Sequence, residues 1–154
     1  MTRPGPKNMS ASVSARLLQH ARASAEDYQY VLMRFGLERL MYRMAESRHA
    51  DKFIVKGAMM FLVWTGESYR PTKDLDLMAP KTITQAELKS VFKELCGMSV
   101  PDDGLKFLAN SVNVEEIRED NVYGGLRVTA QARLGDKQIP IQVDIGFGDA
   151  VTPK

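Results

Sequence analysis

An α+β fold is what the sequence predicts: a mixed sheet with flanking helices, preceded by a helical N-terminal segment. Three observations carry that expectation. Apolar residues recur at helical spacing from Ser10 to Ser47, they alternate with period two between Leu105 and Ile145, and short apolar strands and an amphipathic helix separate the two regions. The chain has 154 residues, 44% hydrophobic and 26% charged, enough to bury a core without a disulfide or metal staple. Such a composition excludes collagen, coiled coil and a fully disordered chain.

Residues 1–9, which include Arg3-Pro4-Gly5-Pro6-Lys7, read as a flexible tail, and 10–154 as one domain, helical over 10–50 and α/β over 51–154. Arg3, Lys7, Arg16 and Arg22 stand without an acid in the first 25 residues, yet no apolar h-region makes this a targeting peptide. Val13, Leu17, Leu18 and Ala21 line a first helix. Ser24 with Asp27 forms a capping box that would start a second one, lined by Tyr28, Val31, Leu32 and Phe35, with a kink or register shift expected at Gly36.

Phe53-Ile54-Val55 reads as a buried strand and Ala58 to Thr65 as a short buried helix, with Gly57 at the junction. Asp74-Leu75-Asp76-Leu77 alternates acid and leucine, the pattern of a half-buried strand. Thr84 and Glu87 make a second capping box for a helix lined by Leu88, Val91, Phe92 and Leu95, which Gly97 ends. The remainder is a run of strands, with Gly135-Asp136 as a tight hairpin turn.

The apolar run Ala58 to Trp64 is far short of the roughly twenty residues that span a bilayer, so no membrane partner is expected. The single cysteine, Cys96, cannot form an internal disulfide; it reads as a small buried hydrophobe in a protein of the reducing cytoplasm. A net charge of +2, from 21 basic and 19 acidic residues, is too small to indicate nucleic-acid binding by itself.

The chemistry concentrates on Asp74 and Asp76. Residues two apart on a strand share a face, with attachment points roughly 6.6 Å apart, so both carboxylates can reach one cation. Leu75 and Leu77 face the core and pin that register. Asp144 falls on the face opposite Ile141, Val143 and Ile145 and joins them as a third ligand. Three carboxylates on neighbouring strands suit a Mg²⁺ or Mn²⁺ phosphoryl-transfer site rather than zinc, and His20 and His49 lie in arginine-containing helical segments elsewhere. Gly57 at a helix mouth would let backbone N–H groups approach a phosphate. Taken alone, Asp-x-Asp also describes any half-exposed strand.

Strand, Gly-Ala turn, helix, Asp-x-Asp strand and a later single Asp resembles the nucleotidyltransferase superfamily with the DNA polymerase β-type palm. Phe53-Ile54-Val55-Lys56-Gly57-Ala58 and Arg70-Pro71-Thr72-Lys73-Asp74-Leu75-Asp76-Leu77 resemble the AbiEii-type nucleotidyltransferases, the toxins of abortive-infection and toxin–antitoxin pairs. Phe35-Gly36-Leu37-Glu38-Arg39-Leu40 and Val143-Asp144-Ile145-Gly146-Phe147-Gly148-Asp149 are similar to the same family. The resemblance implies a nucleotidyltransferase-type sheet, with Asp74, Asp76 and Asp144 as catalytic metal ligands. It also implies that Gly57 and Ala58 form a phosphate-facing turn and that Lys56, Arg70, Thr72 and Lys73 contact nucleotide. The implied reaction transfers a nucleoside monophosphate from an NTP to an acceptor hydroxyl, with RNA, tRNA first, as acceptor and a cognate antitoxin as partner.

Two departures stand out. The turn reads Gly57-Ala58 where the family shows Gly-Gly or Gly-Ser, and the family continues past its third carboxylate into a helical half carrying a further lysine and aspartate, whereas this sequence ends at Lys154. A bare apolar flank and self-association are therefore expected. The rival readings are a catalytically silent binding or interaction module and, from the same carboxylates, a metal-dependent nuclease.

Overall fold

The structure, a computed structural model, describes residues 8–56, 75–80, 82–119 and 122–147. Helix α1 (Met9–Ser24) starts where the Asn8 side chain accepts the Ala11 N–H at 3.0 Å. Helix α2 (Tyr28–Glu46) starts at Asp27, whose carboxylate accepts the Gln29 N–H. The capping box expected at Ser24 is thus misplaced. Ser24 is the last residue of α1, its hydroxyl donating back to the His20 carbonyl and to Glu26, while Asp27 has the extended backbone a cap needs.

No break occurs at Gly36. It lies inside α2, where an added Cβ would stand 2.9 Å from Ile141 Cδ1 and 3.3 Å from Ile139 Cγ2. The missing side chain lets the helix backbone sit close on the sheet, which is packing rather than a kink.

Strand β1 is Ile54–Lys56, one residue later than read from the sequence, and β2 is Leu75–Ala79. The helix expected over 58–65 lies outside the described residues. Helix α3 (Gln85–Cys96) has the expected box: Thr84 Oγ1 accepts the Glu87 N–H at 3.1 Å and donates to the Glu87 carboxylate at 3.3 Å, and Gly97 closes it. Then come β3 (Leu105–Glu119), β4 (Val122–Leu134) and β5 (Lys137–Phe147), with the Gly135-Asp136 turn between the last two.

Together these make an α+β architecture. The five strands form one sheet in the order β1-β2-β5-β4-β3, antiparallel except for the β2–β5 pair. β2 and β5 alternate: Leu75, Leu77, Ile139, Ile141, Val143 and Ile145 are buried against the helices, and the residues between them face the more open side. α1 packs on β4, α2 on β5 and α3 on β3 around one apolar cluster. Among the described residues the exposed large apolar side chain is Ile54, 46% accessible on β1, so the extended bare flank expected from the sequence is not found among them.

Polar contacts tie the helices to the rest. Arg43 is 4% exposed and donates to both oxygens of Asp103, with Arg39 donating to the same carboxylate. Arg34 forks onto Glu26 at 2.7 and 3.1 Å, and that hydrogen-bonded guanidinium holds the Glu26 carboxyl at about 2 against its usual 4.5. A depressed carboxylate pKa contributes stability that is fully present above about 4.5 and is lost as pH falls towards 2. Glu26→Gln is accordingly expected to lower Tm at neutral pH and to show a shallower acid limb, the two proteins converging near pH 2. Parallel limbs in a pH series of thermal melts would contradict the pairing.

Candidate functional site

Asp76 and Asp144 meet across the parallel strands. They are direct register partners, Leu75 opposite Val143 and Leu77 opposite Ile145 fixing the alignment on either side. Because those flanking leucine, valine and isoleucine side chains are buried, both aspartates must project from the opposite face. Asp76 is exposed and Asp144 half-buried. Side chains paired in this way start about 5 Å apart, so both carboxylates are within reach of one cation.

The row continues outward on both sides. Lys56 is the register partner of Asp76 on β1, Arg127 that of Asp144 on β4, and Glu115 that of Arg127 on β3. One charged residue from each of the five strands therefore lies on a single line across the sheet. Arg127 Nε donates to Asp144 Oδ1 at 2.9 Å and Nη2 to Oδ2 at 3.3 Å, a forked pair.

Asp74, Gly57, Ala58, Arg70, Thr72 and Lys73 lie outside the described residues, and for Lys56 the register position alone is described. Of the three carboxylates singled out in the sequence, the structure thus brings together Asp76 and Asp144. Arg127 and Glu115 went unnoticed there. The signal existed: Leu126 and Val128 point inward, which turns Arg127 outward, and residues equidistant from a two-residue hairpin turn pair with one another, which sets Arg127 against Asp144.

Other reactive side chains are engaged elsewhere. His49 is 5% exposed, its Nε2 lies 3.0 Å from Glu94 Oε2 and its Nδ1 3.2 Å from Lys52 Nζ. Arg48 also holds Glu94, keeping that carboxyl below its usual range. A pocket of about 270 Å³ beside this cluster, lined also by Pro80, Thr82 and Ser90, is separate from the aspartate row. Burial pushes the Cys96 thiol up to about 11, which suits a packing role rather than a nucleophile. Among the described residues no three His, Cys, Asp or Glu side chains gather as a metal cluster.

The oxygen-only donor set of Asp76 and Asp144 fits a hard divalent cation and gives zinc no nitrogen or sulfur to prefer. Against known families, residues 39–154 match the model of the nucleotidyl transferase AbiEii toxin, from type IV toxin–antitoxin systems. The chain belongs to the AbiEii family. The match takes in all five strands that carry the row and the last two turns of α2. One similar solved structure is JHP933 from Helicobacter pylori, at a TM-score of 0.49 and 16% identity over 83% of this chain. The chain spans 47% of the length of that protein. No curated protein matches it. No helix among the described residues is long and apolar enough to cross a membrane.

Proposed function

We propose that this AbiEii-family chain is a metal-dependent nucleotidyltransferase that moves a nucleoside monophosphate from an NTP to an acceptor hydroxyl. The observation that supports it is the in-register pair Asp76 and Asp144 on adjacent parallel strands, facing the same open side. A divalent cation, Mg²⁺ or Mn²⁺, would be held by these two and by Asp74, and when bound would supply charge neutralisation for the triphosphate and the leaving pyrophosphate.

The chain's own residues do the positioning. The buried flanks of β2 and β5 fix the strand positions from which Asp76 and Asp144 project to the open face. Gly57 and Ala58 are assigned the phosphate-facing turn, and Lys56, Arg70, Thr72 and Lys73 the nucleotide contacts. The proposed acceptor is RNA, tRNA first, with a cognate antitoxin as protein partner and the cytoplasm as compartment.

A second reading, a silent binding module, draws on the Arg127 fork, which already satisfies Asp144. Incubation with labelled NTPs, Mg²⁺ and total RNA separates the two. Label should enter RNA with the wild-type chain, and Asp76→Asn should reduce it about a hundredfold or more, since even indirect supports of a metal site cost 10–100-fold. No labelling by either protein would favour the silent module, and equal labelling by the variant would show that Asp76 is not part of the reacting site.

A further inference from the structure

Resting on the reading of Asp76 and Asp144 as a cation site, we propose that Arg127 is an internal gate for that site. Its guanidinium holds Asp144 until a divalent cation displaces it, and Glu115 is the seat it then takes. The inference starts from occupancy. Both Asp144 oxygens are engaged by Arg127, at 2.9 and 3.3 Å. A metal ion bound to the same carboxylate would face a positive group a few ångström away, a repulsion that is strong wherever water is partly excluded. Tight binding at Asp144 by the arginine and by the metal therefore oppose each other.

The register supplies the alternative seat. Arg127 sits between two acids on the same sheet face, Asp144 on β5 and Glu115 on β3. Each neighbour starts about 5 Å away, within reach of a long side chain by rotamer change alone. Glu115 is exposed and the Arg127 side chain 36% exposed, so the exchange needs no backbone movement. The charges stay paired: without metal Arg127 offsets Asp144, and with metal the divalent cation offsets Asp76 and Asp144 while Arg127 offsets Glu115. No bond is made or broken, and one cation replaces another.

Titration of Mn²⁺, read by the electron paramagnetic resonance of the free ion, tests this on the whole chain. Arg127→Gln should bind Mn²⁺ about tenfold more tightly than wild type, and Glu115→Gln several-fold more weakly, shifts in the range that groups around a metal site produce. Arg127→Lys, which keeps charge without the fork, should fall between wild type and Arg127→Gln. In wild type, Mg²⁺ should also move the Arg127 Nε–H resonance in NMR spectra, and in Asp76→Asn it should not. Thermal melts confirm folding, and if Arg127→Gln does not fold, the Arg127→Lys and Glu115→Gln titrations carry the test. Unchanged Mn²⁺ affinity in every folded Arg127 and Glu115 variant, with binding still lost in Asp76→Asn, overturns the gate and leaves the cation site standing. Absence of Asp76-dependent Mn²⁺ binding in all proteins overturns both.

Discussion

Asp103→Ala is expected to cost about 3–5 kcal/mol of folding stability, the range for removing one partner of a buried ion pair. The cause lies in what is left behind. Arg43 is 4% exposed, stacked over the Phe107 ring at 4.6 Å, and donates to Asp103 and to the Arg39 carbonyl. Without the carboxylate a guanidinium stays in the interior with its charge unmet. Asp103 also accepts the Leu105 N–H, which shapes the turn into β3. Burial pushes its carboxyl up, but the Arg43 and Arg39 hydrogen bonds outweigh it and hold the group below its ordinary value. The contribution is therefore complete at neutral pH and fades as pH falls below the usual carboxylate range. Tm should drop by roughly 10 °C or more. Asp102→Ala, one residue earlier and exposed, removes only a contact to the Gly104 N–H and should cost within about 1 kcal/mol. A double change, Asp103→Leu with Arg43→Met, should recover much of the loss by removing both charges. If Asp103→Ala melts with the wild type, Arg43 is not dependent on its partner.

Gly125→Ala should be nearly as severe, about 2–4 kcal/mol from backbone strain and overpacking combined. Gly125 has φ +127, a conformation closed to side chains, and a Cβ there would collide with the Ile145 carbonyl oxygen. The obstacle is backbone, so no rotamer relieves it. β4 would separate from β5 where Leu126 pairs Ile145 and Arg127 pairs Asp144. Beyond the lower Tm, hydrogen exchange should quicken at Leu126 to Val128 ahead of the Gly135-Asp136 end. Uniform exchange along the hairpin would show that the clash is absorbed elsewhere.

Much of the fold was legible because period and turn chemistry are local. Leu75 and Leu77 announce the inward face of β2, and with it the outward face of Asp76; Thr84 and Glu87 mark the start of α3, and Gly135-Asp136 the last hairpin. Ser24 misled because Asp27 completes the same spacing while being the cap itself. The bulge in β3 between Leu108 and Asn113 was recorded in the sequence as a change of phase, Leu105 and Phe107 before it and Val112 and Val114 after it. For the site, Asp76 and Asp144 were visible as outward acids on alternating strands. Their placement on neighbouring strands was expected from the chemistry of a shared cation, and the structure pairs them, although nothing local in sequence specifies that β2 lies beside β5. Arg127 was missed because its meaning comes from a partner across the hairpin rather than from its own neighbours in sequence.

Strand order also implies an order of assembly. β3, β4 and β5 form a meander whose pairings close short loops, whereas β2 reaches β5 only by a parallel pairing across α3 and the whole meander. Closing the longer loop spends chain entropy that the hairpins do not. The Arg127–Asp144 pair belongs entirely to the β4–β5 hairpin, so it can be native while Asp76 is still remote. With the hairpin formed first, the arginine would shield the lone carboxylate of β5, and β2 would dock against a strand whose charge is already compensated.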